Sequence, residues 1–416
     1  MAARTRAALQ FDRIRGASPR NEMDLNDFLS DKGLSWRDHW IYHQDANGGR
    51  TGQAARFRFL PTHRDQMVFP WSMARMDNGE VAVAGVACDM TNWKGAPRQT
   101  VLAFSGDQGA TWSDYVEVPD CESRPMMLVD LGHGELSFMT SFEAAGNCRY
   151  YSRDHGRTWT ERVALATAPN GLQVSSEGNS LVDYDDGGKA VALAETGQTQ
   201  NQRSDGHWNV CGCVRWSRDG GRSWDRFDWP DAWQWQDTHE GRQHDRGVGE
   251  GALVRAANGW IVAAMRTDMP IRYMPLRHDN FEGVAVSISK DDGATWSPLE
   301  FILGPGRHHM NLVRLPGGEL VMTMIRRLDL ADDRLASYRR GCDALISRDH
   351  GLTWDVDHMV VLDEFSALCT PREMPKNWRW YGTICGHLSS VAFDDGTVIT
   401  TYGNYRNAGA LILWKP

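Results

Sequence analysis

One octapeptide, Ser-x-Asp-x-Gly-x-Thr/Ser-Trp, occurs five times in this 416-residue chain and restricts the folds open to it. The copies run Ser105–Trp112, Ser152–Trp159, Ser217–Trp224, Ser289–Trp296 and Ser347–Trp354. Each residue type has a reason to sit in a tight turn. The Asp accepts backbone N–H bonds, the Gly supplies a left-handed conformation, and the hydroxyls close the loop locally. The Trp then plugs the turn into the layer beside it. Recurrence at a spacing of roughly fifty residues means one supersecondary unit per repeat, stacked into a ring or a solenoid.

A second repeat lies upstream of each octapeptide: a polar residue, an alternating apolar strand, a Gly turn, then another apolar strand. Its copies begin near Phe69, Arg124, Glu177, Glu250, His308 and His387. Six hairpins against five octapeptides predict an all-β ring or solenoid of six units spanning residues 1–416 as one domain. The family resemblance given below makes this a six-bladed β-propeller, with a strand near Ala408–Trp414 in the last blade. A segment such as Ala7–Ile14 is the candidate for that blade's fourth strand, since closure removes exposed sheet edges. Residues 16–65, with Trp36, Trp40, Tyr42 and His43, fit no repeat and are expected as an excursion packed on the ring. A second insertion, Trp229–Arg246, carries Trp233, Trp235, His239 and His244.

Composition excludes several classes of partner. A net charge of -9 argues against nucleic acid and against an anionic membrane surface. No apolar run has the length of a membrane helix, and the first residues lack the apolar core of a signal peptide. The expectation is a cytoplasmic protein, or one from which a leader has been removed. The eight cysteines show no zinc-type pairing and are expected as reduced, structural thiols.

In a propeller the first strand of each blade lines the central channel. The hairpin heads therefore ring one funnel: Phe69 and Pro70, Arg124, Glu177, Glu250, His308 and His309, then His387. Two neighbouring glutamates, two histidine positions and an arginine suit chemistry better than structural filling. At a funnel radius of roughly 5–9 Å, Glu177 and Glu250 fall within the separations that glycoside hydrolysis uses. One carboxyl would protonate the leaving oxygen while the other attacks the anomeric carbon or activates water. Two Glu and two His around one axis sit on separate hairpins with no local ligand motif, and strand alternation lets only one of His308 and His309 point inward; no metal site is expected, nor any cofactor.

The octapeptide resembles the Asp-box of the sialidase superfamily, where it caps a hairpin on the outer side of propeller blades. The resemblance implies further roles. Glu250, followed sixteen residues later by Arg266, is similar to the family's Glu and second arginine. Arg340 (or Arg339) resembles the third arginine in placement, and Asp89 resembles the acid/base Asp. Two departures separate the chain from a standard sialidase. Val68-Phe69-Pro70-Trp71 stands where the first arginine's motif belongs, and His387 stands where the Tyr nucleophile belongs. Propellers of this superfamily also include exo-acting arabinan-degrading glycosidases with a carboxylate pair, which Glu177 and Glu250 resemble. The leading expectation is thus a glycoside hydrolase acting on the end of an oligosaccharide or polysaccharide. Arg124, Arg266, Arg340, His309, Trp71 and Trp235 are its candidate substrate contacts, with His387 and Asp89 beside the catalytic pair. The alternatives are a lyase with His387 or His309 as base on a uronate, a sialidase-like enzyme, and a non-catalytic carbohydrate-binding propeller.

Overall fold

The computed structural model describes residues 36–45, 49–88, 97–141, 146–202, 208–276, 281–331, 334–337, 339–366, 386–403 and 409–416. Among these the chain is almost entirely β, interrupted by short 3-10 turns such as Asp231–Trp233. Among the described residues the strands Val68–Arg75, Met126–Gly132, Leu181–Tyr184, Arg242–Arg255, Arg307–Arg314 and Gly386–Ala392 each head an antiparallel run; the first three runs have four strands, the fourth has five, and the last two lie in one larger sheet. These first strands touch in cyclic order, and the last packs on the first. The sheets therefore form a closed propeller with the first strands at its axis.

Each octapeptide follows the third strand of its sheet, and all five fold alike. In the second, Ser152 Oγ donates to Asp154 Oδ1 at 2.8 Å and accepts from Gly156 N at 2.9 Å. Thr158 donates its N–H to Asp154 Oδ1 at 2.8 Å and its hydroxyl to Oδ2 at 2.7 Å. The other four repeat these bonds. The Gly is required twice over in this turn. Its φ is 82° at Gly156, and a Cβ there would press into Phe104 of the preceding sheet at 2.9 Å. The same position in the other boxes meets Ile399, Arg149, Trp216 and Val262, in each case on the preceding sheet. The turns thus lock the sheets together at the rim.

At the axis the sheets are tied by side chain to backbone bonds. Met73 N donates to Ser389 Oγ, Ser72 Oγ to the Pro125 carbonyl, and Ser390 N to Asn311 Oδ1. Asn179 bonds the Leu253 carbonyl and accepts from Leu312 N, so one side chain joins the third, fourth and fifth sheets. Deeper in the interface of the second and third sheets, Glu195 is wholly buried between Arg149 and Arg215 at 2.7 and 2.8 Å.

The N-terminal region differs from expectation. Residues Arg37–Gln44 and Arg50–Phe59 are strands of the ring, and the second pairs with Gly409–Trp414, Arg56 opposite Leu413. The first pairs with Met359–Ser366, so the hairpin joins the fifth and sixth sheets into one nine-stranded sheet. The place beside Gly409–Trp414 is therefore held by Arg50–Phe59; the segment Ala7–Ile14 lies outside the described residues. Ile41, Ala55, Phe57 and Phe59 point into the core, but Arg50, Arg56 and Arg58 obscure that alternation in the sequence. Arg58 is itself buried, donating Nη1 to the carbonyls of Gly109 and Ala110 at 3.0 and 2.7 Å. The Trp229–Arg246 insertion likewise becomes sheet, with Gln234–His239 paired to the extended first strand of the fourth unit.

Candidate active site

Strict alternation fails where the first strands reach the funnel, and the failure builds the site. Pairing skips Trp71 between Pro70 and Ser72, Glu250 between Gly249 and Gly251, His309 between His308 and Met310, and His387 between Gly386 and Leu388. In the second sheet the ladder skips Met127 and Leu128. Each is a β-bulge, which bends the strand and re-aims a side chain. At His309 the backbone is left-handed, with φ 53°. Glu177 precedes its strand in an equivalent kink: Ser175 faces Gln198 and Leu181 faces Ala194, so six residue steps oppose four.

Bulging brings one residue from most sheets to a common point. Glu177 Oε2 lies 3.2 Å from Nδ1 of both His309 and His387. The same His309 nitrogen lies 3.3 Å from Glu250 Oε2. The two carboxylate oxygens are therefore no more than about 6.5 Å apart, the sum of those two contacts. Both glutamates precede a glycine, and this is what lets the strands meet. A Cβ on Gly178, whose φ is 103°, would collide with the Gly251 carbonyl oxygen.

A pocket opens onto this cluster, lined by Trp71, Met126, Met127, Glu177, His309 and His387 among others. The His387 ring lies against Trp71, centroids 3.7 Å apart, and 4.4 Å from His309. Arg124, half-buried at the edge, places its guanidinium 5.5 Å from the Trp71 ring and donates to the Ser141 carbonyl. Glu250 sits deeper. Arg266 Nη1 holds its Oε2 at 2.8 Å and reaches Glu282 at 3.1 Å, and Glu282 in turn faces His308 Nδ1 at 3.1 Å.

The Glu177 carboxyl and the three rings are all held below their ordinary values. Burial pushes the Glu177 carboxyl up, but the charge of His387 and the contacts of both histidines outweigh it, holding it well below the usual range. Burial drives His309 down to about 3, with the charges of His387 and Arg327 adding to the effect. His308 and His387 are lowered as well, burial again first. Arg327, fully buried just past Leu320–Arg326, bears on all three rings.

Of the residues singled out from the sequence, Glu177, Glu250, His309, His387, Trp71, Arg124 and Arg266 belong to this cluster. Trp235 does not line the pocket. It lies on the outer hairpin Gln234–His239 and packs on Phe301, because the insertion was absorbed into the fourth sheet's edge. Arg340 is fully buried in the strand Arg339–Ser347, donating Nη1 to the Arg339 carbonyl, and is not among the pocket's lining residues. Asp89 lies outside the described residues. His308, expected with His309 at the head of the fifth hairpin, is buried beside the cluster on Glu282. Glu282 and Arg327 carry no sequence signal that distinguishes them from other charged strand ends.

Known proteins give a consistent setting. A family model described as a BNR repeat-like domain matches residues 132–367. No curated protein matches the chain in sequence. Among solved structures, a Dyadobacter fermentans protein of unknown function superposes with a TM-score of 0.60 at 15% identity, covering 92% of this chain and 100% of that one. A Trypanosoma rangeli sialidase gives 0.52 at 14% identity, with 92% of this chain against 58% of that longer one. A Penicillium chrysogenum alpha-L-arabinanase, solved with arabinobiose, gives 0.50 at 11% identity, covering 91% and 98%. At such identities the likeness establishes a shared fold.

Proposed function

The chain belongs to the BNR repeat-like family, with a propeller of the sialidase superfamily, and we propose that it is a glycoside hydrolase acting at the end of an oligosaccharide or polysaccharide. The observation carrying this reading is the meeting of Glu177 and Glu250 on one imidazole nitrogen. An oxygen separation below about 6.5 Å favours the retaining geometry, where carboxyls stand about 5–5.5 Å apart, over the inverting one at about 6.5–9.5 Å.

The two carboxyls have unequal neighbours, which supports a division of roles between them. Arg266 cannot give up its proton, so Glu250 is a fixed anion suited to attack the anomeric carbon. Glu177 lines the pocket and, among the described residues, has no guanidinium on it. It is the carboxyl free to take up a proton once a bound sugar separates it from the two imidazoles, to pass that proton to the leaving oxygen and then to deprotonate water. Trp71 offers an apolar face for a sugar ring, and Arg124 a donor at the rim. His387 orients the substrate or Glu177 and takes no covalent part.

The test is a pair of variants on aryl and natural glycosides. Glu177→Gln should lose turnover of the natural glycoside while retaining much of it on an aryl glycoside with a good leaving group. Glu250→Gln should lose both. Near-wild-type turnover in either variant removes that residue from the mechanism. A second reading, elimination from a uronate, rests on the imidazoles lining the pocket where Glu250 does not. It requires His387→Ala to abolish formation of an ultraviolet-absorbing unsaturated product while Glu177→Gln leaves much of it.

A further inference from the structure

The convergence of Glu177, His309 and His387 has a geometry that acid/base chemistry alone does not call for. All three are buried and their ligand atoms lie within 4.8 Å of one another. Both imidazole nitrogens stand 3.2 Å from the same carboxylate oxygen. Yet among the described residues no contact of Glu177 Oε2 meets hydrogen-bond geometry, so neither imidazole contact has the alignment of a good N–H···O bond. Buried carboxylate oxygens are rarely left this way.

A cation between these atoms would account for the arrangement. Ligands about 2.1 Å from a zinc-like ion stand about 3.0–3.4 Å from each other, depending on whether the angles are near right or tetrahedral. The two contacts of 3.2 Å fall in that interval. We propose that the funnel binds one divalent transition-metal ion through Glu177 Oε2, His309 Nδ1 and His387 Nδ1. Two imidazoles and one carboxylate on one side of an ion leave the pocket side open for water or a ligand. The donors come one from each of three sheets, the feature that argued against a metal in the sequence. The bulges at His309 and His387 and the kink at Glu177 overcome that separation. Glu250 stays outside the set, tied to Arg266.

The ring packing is already arranged for such an ion. His387 is held against Trp71, and His309 lies between His387 and His308 at 4.4 and 4.5 Å. Little reorganisation is needed before coordination. Imidazole and carboxylate together suit zinc, cobalt or nickel better than calcium or magnesium, which take oxygen ligands. Coordination would also occupy the oxygen that hydrolysis assigns to Glu177. Resting on the glycosidase reading, it follows that the bound ion silences hydrolysis and that a chelator restores it.

The experiment treats the full chain with chelator, then titrates it with zinc by calorimetry and with cobalt by absorption spectroscopy, without substrate. One ion per chain is expected, with His309→Ala and His387→Ala each weakening binding by at least tenfold and the exposed rim variant His358→Ala leaving it unchanged. Should either funnel variant fail to fold, anomalous scattering from zinc in wild-type crystals reads the same point, expected beside Glu177. Absence of stoichiometric binding at tenfold excess, or an ion located elsewhere, overturns the proposal. Binding without any glycan turnover would sink the hydrolase and leave the metal site standing; turnover that a tenfold excess of zinc leaves unchanged would do the reverse.

Discussion

The rim and the funnel of this propeller are built by opposite means. At the rim, five turns spend the same four hydrogen bonds on the same residues, and every bond stays within eight residues. In the funnel, the six strand heads present aromatic, guanidinium, carboxylate and imidazole groups in place of one repeated pattern. The side chains arrive from several strands, and their partners lie 16 to 210 residues away, as with Arg266–Glu250 and His387–Glu177. Repetition secures the ring locally, and so frees the strand heads to diverge.

Four changes would break or sharpen this contrast. The largest effect is expected in the funnel. Glu177→Gln should reduce turnover on a natural glycoside by about 10²–10⁴-fold, with the thermal midpoint barely moved. A variant that lost stability in proportion to activity would make the residue structural.

Next comes the buried interface behind the funnel. Glu195→Gln leaves Arg149 and Arg215 without their counter-charge and should cost about 3–5 kcal/mol in denaturant unfolding. Burial pushes this carboxyl up, but the two guanidiniums outweigh it and hold it below its usual value. Its stabilisation is therefore present above the unfolded pKa and lost as pH falls through the folded one.

The contrast itself shows why parts of the molecule could be read from sequence and others could not. The boxes are legible because every residue in them serves its own turn. The strand heads Glu177, Glu250 and His387 were found by counting hairpins, which again needs only local pattern. Only one of His308 and His309 is expected inward because alternation assumes an unbroken ladder, and the left-handed residue at His309 breaks that ladder between them. Arg327 and Glu282 act through neighbours from other sheets, which no local pattern encodes. The N-terminal hairpin was misplaced because Arg58, polar by type, is buried under the first box. The paired Glu-Gly dipeptides were a usable signal: two glutamates each followed by glycine suggest strands approaching closely beside them.

A single box should matter little. Asp154→Ala removes the acceptor for Thr158 and Ser152 at an exposed turn and is expected to cost about 1 kcal/mol, with activity unchanged. A loss of activity would mean that rim and funnel are coupled. The last test concerns pH. Burial raises Asp268 to about 6, partly offset by Arg246 and by the amides of Gly247 and Val210. Its protonated form thus favours the fold. That contribution is complete below the unfolded value of about 3.9 and is lost as pH rises through about 6. Asp268→Asn should flatten the melting temperature between pH 4 and 7 by roughly this contribution.

The stereochemistry of the first sugar released tests the central claim most directly. Proton NMR during the opening minutes of hydrolysis reports the anomer before mutarotation scrambles it. Two carboxylates meeting on the His309 nitrogen predict a product with the substrate's own anomeric configuration. An inverted first product would contradict the account, because it needs a water between carboxyls that this funnel holds too close together.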